Sequence, residues 1–125
     1  MKIDASIGEV VDKLTILDIK LEKMTDQQKL KNIRKEHELL EKELSKIKIT
    51  SDSAEFKNLR EVNERLWEIE DKIRIKEAKK EFDEGFVKLA RSVYFENDKR
   101  AEIKKEINLK YGSELVEEKE YVRYK

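Results

Sequence analysis

Ile7-Gly8-Glu9-Val10-Val11-Asp12-Lys13-Leu14-Thr15-Ile16-Leu17-Asp18-Ile19-Lys20-Leu21 is the stretch on which the fold of the chain turns. Ile7, Val10, Val11, Leu14, Leu17, Leu21 and then Met24 recur at spacings of three and four, as apolar residues do on the core-facing side of a helix. Ser6 and Glu9 have the spacing of a capping box and put the start of this helix at Ser6. Ile16 and Ile19 fall off the stripe and make the helix apolar on a second side. A helix of that kind packs against more than one neighbour, so we expect it at the centre of the protein.

Thr25 and Gln28 repeat the capping-box spacing and open a second helix that runs to about Ile47. Its stripe, Leu30, Ile33, His37, Leu40, Leu44 and Ile47, alternates by three and four like a coiled-coil seam. Thr50, Ser51, Asp52 and Ser53 then compete for backbone hydrogen bonds and favour a short turn. A third helix, capped by Asp52 or Ser53, carries Phe56, Leu59, Val62, Leu66, Ile69 and Ile73 and should lie along the second as an antiparallel hairpin. Trp67 sits one residue off that seam, and the pattern fades into the charged run Lys76 to Glu81. Asp83 is the expected cap of a fourth helix, with Phe82 set to staple onto Val87. Gly112 suits the left-handed position past its end. Leu115, Val116, Tyr121, Val122 and Tyr124 give the tail enough apolar mass to dock.

The expected architecture is therefore all-α, an antiparallel bundle of about four helices (about 6–24, 26–47, 53–81 and 84–111) with a long central hairpin. A docking tail at 113–125 completes a single domain over 1–125. With 125 residues the chain is long enough for one core and too short for two. It has no proline and only three glycines, and 46% of it is charged, a composition of long helices. The recurring apolar residues exclude a disordered tract.

Acids and bases number 29 each and interleave, so no face is built for a nucleic-acid backbone. The lack of cysteine excludes thiol chemistry and disulfides and fits a reducing, cytoplasmic setting. No apolar run approaches the roughly 20 residues of a membrane span, and the N-terminus lacks the layout of a signal peptide.

Four constellations bear on chemistry. Glu9, Asp12, Lys13, Thr15 and Lys20 are polar on an otherwise apolar helix, so each is paired, functional or turned to solvent. On the fourth helix Arg91, Tyr94, Asn97 and Arg100 share a face; with Lys13 they suit a phosphate or carboxylate, or else a polar network that fixes helix register. His37, the lone histidine, reads as a hydrogen-bonded core or interface residue, since one imidazole makes no metal site. Glu38 with Glu41, and Glu68 with Asp71, have the pair spacing seen in all-helical nucleotide pyrophosphatases, a spacing that 29 acids also produce by chance. No catalytic residue, metal ligand or cofactor is assigned.

The Val11-Asp12 step and the basic residues of the fourth helix resemble the small all-helical chorismate mutases at those positions alone, with the rest of that motif not aligned. Across nearly the whole chain, Ile7 to Lys20, Leu66-Trp67-Glu68-Ile69-Glu70-Asp71-Lys72-Ile73-Arg74, Ala90 to Asn108 and Gly112 to Lys119 resemble a family of uncharacterised helical proteins of about this length from bacteria and phages. That resemblance implies a stand-alone helical domain, sometimes met near glycosyltransferase or surface-polysaccharide genes, and brings no activity or site residues.

The regular seams and the lack of a nucleophile–base pair lead us to expect a non-enzymatic interaction or scaffold protein. It would form a homo-oligomer or dock on a protein partner, using apolar residues such as Trp67 and Ile19 for contact. The alternative is a small-anion site, binding or catalytic, between the first and fourth helices.

Overall fold

The computed structural model describes residues 6–111, and the expected tail at 113–125 and the Gly112 stop lie outside them. Four helices follow one another: α1 (Ile7–Lys23), α2 (Gln27–Ser45), α3 (Ala54–Ala78) and α4 (Glu84–Tyr111). No strand occurs among the described residues, and the fold is an all-α, four-helix bundle.

The central place expected for α1 is the one it takes, because it packs against α2, α3 and α4 alike. Its N-cap is Ser6, whose hydroxyl accepts from the Glu9 N–H at 3.3 Å. The Glu9 carboxylate does not turn back to complete the box but reaches across to Lys104 of α4 at 2.6 Å. Val11, Leu14 and Leu17 of the first stripe are buried, and Ile19 of the second side is 1% exposed. Ile19 is therefore core rather than contact surface.

Neighbour order departs from the expected hairpin in one respect. α2 packs along α1, and the most extensive pairing of α3 is with α4. The two central helices still meet at the core through Leu40, Leu44, Ile49, Phe56 and Leu59, at the end of the bundle that holds the α2–α3 turn. Regular seams on α2 and α3 say that each has a partner and leave the partner's identity open.

Capping explains the ends of the helices. Asp26, not Thr25, caps α2, its Oδ1 accepting from Gln28 and Lys29. Ser53 stands at the α3 N-cap but turns its hydroxyl back to accept from Thr50 N–H at 3.0 Å. Asp83 caps α4 as expected, accepting from Phe86 N–H at 2.9 Å, while Phe82 packs edge-to-face on Phe86 rather than seeking Val87. Lys48 and Lys80 adopt left-handed backbone angles, φ 64° and 56°, and stop α2 at Ser45 and α3 at Ala78. Each closes a Schellman pair: Ile49 N–H to Leu44 O at 3.0 Å with Lys48 N–H to Ser45 O, and Glu81 N–H to Lys76 O at 2.8 Å with Lys80 N–H to Glu77 O. Ile49, just beyond the first of these turns, is 2% exposed beside buried Leu44, which anchors that turn in the core.

The core is confined to one part of the molecule. Val10, Val11, Leu14, Leu17, Phe56, Leu59 and Ile107 lie within it, yet from Trp67 to Glu106 no residue is buried. α3 beyond Leu66 and α4 before Asn97 thus leave the body as a two-helix arm.

Candidate functional site

Two features stand out: a buried polar cluster where α1, α3 and α4 meet, and the arm that begins beside it. Asp12 of α1, 4% exposed, sits in the core with Thr15 (0%) and Asn63 of α3 (5%). An unpaired carboxylate there would be costly, and each oxygen is provided for. Arg100 of α4 donates from Nε to Oδ1 at 2.8 Å and from Nη2 to Oδ2 at 2.5 Å, a two-pronged grip, and Asn63 Nδ2 donates to Oδ1 at 2.9 Å. Asn63 Nδ2 also donates to Thr15 Oγ1 at 2.8 Å, and that hydroxyl donates to the Asp12 backbone carbonyl at 2.7 Å. Burial pushes the Asp12 carboxyl up. The hydrogen bonds from Arg100 and Asn63 and the charges of Arg100 and Lys104 outweigh burial, so the group ends below the usual carboxylate range.

The same seam is tightened toward the N-terminus of α1. Gly8 N–H donates to Asn108 Oδ1 at 2.6 Å, and a Cβ at Gly8 would come within 2.6 Å of the Lys104 carbonyl oxygen. Glycine is needed there because the α4 backbone occupies that space. On the other side of α1, Asp18 takes Arg60 Nε at 2.7 Å and His37 Nε2 at 3.2 Å, so His37 is an interface residue linking α2 to α1 and α3. Arg60 continues to Glu22 and Glu64.

Beside the Asp12 cluster opens a cleft of about 250 Å³ between α1, α3 and α4, with Ile16, Ile19 and Leu66 as its apolar wall and Asn63 and Arg100 at its base. Trp67, Glu70, Asp71, Arg74 and Asn97 complete the lining. Arg74, Glu70 and Asp71 make no ion pair among the described residues. No three carboxylate or imidazole groups gather into a metal cluster among the described residues.

Of the five residues picked from sequence, the structure brings Asn97 and Arg100 to this cleft. Arg100 arrives with its fork already filled by Asp12. Lys13 lies elsewhere on α1, paired with Glu36 of α2 at 2.7 Å. Arg91 and Tyr94 are exposed on the arm, Tyr94 at 73%. Sequence reasoning flagged Asp12 and Thr15 as polar residues on an apolar helix. It passed over Asn63, which stands next to Val62 on the α3 seam and is one amide among many polar residues, with no signal of its own.

The arm is the second feature. It exposes Ile75 (54%), Phe82 (57%), Val87 (50%), Tyr94 (73%) and Phe95 (59%), five of the eight large hydrophobic residues that the described structure leaves open. The ion pairs and hydrogen bonds of α1 reach α3 at Arg60, Asn63 and Glu64 and α4 at Arg100, Lys104 and Asn108, and none reaches Ile75 to Glu96. At the root of the arm Arg65, one residue before Leu66, joins Glu96 at 2.9 Å, and near the tip Lys76 joins Asp83 at 3.1 Å.

No helix of the described residues is long and apolar enough to cross a membrane. No curated protein and no solved structure matches the chain. A family model does match, over residues 1–124, and by that near-complete match the chain belongs to the family of unknown function DUF6165.

Proposed function

We propose that this protein is a non-enzymatic helical interaction protein, working in the cytoplasm as one domain, that docks through the apolar surface of its α3–α4 arm onto a second copy or another protein. The observation that carries the reading is the run from Trp67 to Glu106, which contains no buried residue yet exposes Ile75, Phe82, Val87, Tyr94 and Phe95. Helices gain most of their stability from packing an apolar face, and large exposed apolar patches mark sites of contact. The Asp12 cluster fits this reading as a clamp that fixes α1, α3 and α4 in register and so sets where the arm leaves the body.

The test is sedimentation of the full chain together with affinity capture from its host, each repeated with Tyr94→Glu plus Phe95→Glu. The reading predicts self-association or capture of a defined protein, lost in the double variant while its circular dichroism stays helical. A strictly monomeric chain that captures nothing in an arm-dependent way overturns it.

A second reading, a small-anion site, binding or catalytic, keeps one observation in its favour: the cleft collects Asn97, Arg100 and Arg74, the last with no ion pair among the described residues. Inorganic phosphate and simple carboxylates should then raise the melting temperature, and Asn97→Ala with Arg74→Ala should remove the effect. A flat screen ends that reading.

A further inference from the structure

Independently of the arm, and narrowing the small-anion reading of the cleft to a ligand of both charges, we infer that the cleft between α1, α3 and α4 binds a free α-amino acid with an apolar side chain. The base of the cleft is built around Asn63. That residue is 5% exposed, and its Nδ2 is spent on two acceptors, Asp12 Oδ1 at 2.9 Å and Thr15 Oγ1 at 2.8 Å. An ionised carboxylate only accepts, and the Thr15 hydroxyl proton is committed to the Asp12 carbonyl, so the amide has a single orientation. Its Oδ1 faces away from Asp12 and accepts no hydrogen bond among the described residues. No side-chain oxygen sealed from solvent lacks a partner among the described residues, so Oδ1 is open on the side of the cleft that Asn63 lines.

Arg100 is held by the same carboxylate. Its Nε and Nη2 grip Asp12, which leaves Nη1 at the base of the cleft without a partner among the described residues. Asn63 and Arg100 both bond Asp12 Oδ1, so a bare acceptor and a bare donor come from neighbouring groups, each fixed before any ligand arrives. An α-amino acid presents the complementary pair on one carbon, an ammonium that donates and a carboxylate that accepts. The rim divides in the same way: Glu70 and Asp71 suit the ammonium, Arg74 and Asn97 the carboxylate. Arg74 stands four residues after Glu70 and three after Asp71, spacings at which helix side chains pair, yet it makes no ion pair with either. An ion of one sign would meet repulsion as well as attraction on this rim, whereas a zwitterion finds a match for each end. Ile16, Ile19 and Leu66 form the apolar wall for its side chain. At about 250 Å³ the cleft falls below the roughly 300–1,000 Å³ of drug-sized sites and suits a small molecule.

Trp67, the chain's single tryptophan, lines the cleft and reports on it directly. Titration of L-leucine and L-phenylalanine into the full chain should shift its emission and raise the melting temperature. The same skeletons without the amine, isocaproate and hydrocinnamate, or without the carboxylate, isoamylamine and phenethylamine, should bind at least tenfold more weakly. Glu70→Gln plus Asp71→Asn, and separately Arg74→Ala plus Asn97→Ala, should each weaken amino-acid binding at least tenfold. Circular dichroism of both double variants should remain helical, because all four residues are exposed. No response to either amino acid overturns the inference, as does amino-acid binding that both double variants leave intact. Isocaproate, hydrocinnamate or inorganic phosphate binding as tightly as the amino acids also overturns it and leaves the small-anion reading in place. Amino acids that bind where those anions do not support the zwitterion and end the small-anion reading.

Discussion

The body and the arm are made from the same two long helices, yet they are held together differently. In the body, α3 and α4 share α1 as a third wall, and Leu59 and Ile107 are both 0% exposed. In the arm no residue is buried, and among the described residues cohesion falls to a half-buried seam and two ion pairs, the partly buried Arg65–Glu96 and the more exposed Lys76–Asp83. An ion pair open to solvent, such as Lys76–Asp83, contributes little, about 0–1 kcal/mol, so the arm's own cohesion rests mainly on its half-buried seam. A helix can thus be continuous in the backbone while its two halves serve different purposes, one filling the core and the other offering a surface.

Substitutions at matched apolar positions sharpen that contrast. Leu59→Ala, in the middle of the body, should cost about 2–5 kcal/mol, read as a lower urea midpoint, because the cavity it leaves is walled by α1 and α4. Asp12→Asn comes next. It leaves Arg100, whose side chain is 30% exposed, without its carboxylate, and the loss should be near the lower end of the range for a broken buried pair, about 3 kcal/mol. The folded-state pKa of Asp12 lies below that of the unfolded chain. Its contribution is therefore complete above the ordinary aspartate pKa of about 4 and disappears as pH falls through the folded value. The melting temperatures of wild type and Asp12→Asn should converge below about pH 4, and a gap that stays constant there would remove Asp12 as a charged clamp.

Gly8→Ala should follow, at about 1–3 kcal/mol, because its Cβ meets the α4 backbone and the two helices must part. Smallest of all, Ile75→Ser on the arm should change the stability of the isolated chain by less than about 0.5 kcal/mol. If Ile75→Ser matched Leu59→Ala in a dilute sample, the division into body and arm would fail.

Much of this could be read from the order of residues, for local reasons. A stripe at helical spacing, a capping side chain and a polar break each act over a few residues, which is why α1, its Ser6 cap and the Asp83 cap were visible in advance. The helix stops at Lys48 and Lys80 were not visible, since lysine gives no hint of a left-handed angle and takes it only because the following residues fold back. Asn97 and Arg100 were found at the cleft because they lie on one helix a turn apart. Lys13 was misplaced beside them because periodicity gives an angle about one axis and says nothing of which neighbour stands there.

Helix content, the dual-sided character of α1 and the presence of polar groups on it follow from spacing along the chain, where each residue answers mainly to its near neighbours. That α2 chooses α1, that Asn63 closes a ring with Asp12, Thr15 and Arg100, and that α3 and α4 outrun the core to form an arm depend on contacts between residues far apart in sequence. Those contacts are fixed by how stripes of similar hydrophobicity pack in three dimensions. Many pairings would bury comparable area, and the one adopted is one in which Asp12 meets Asn63 and Arg100.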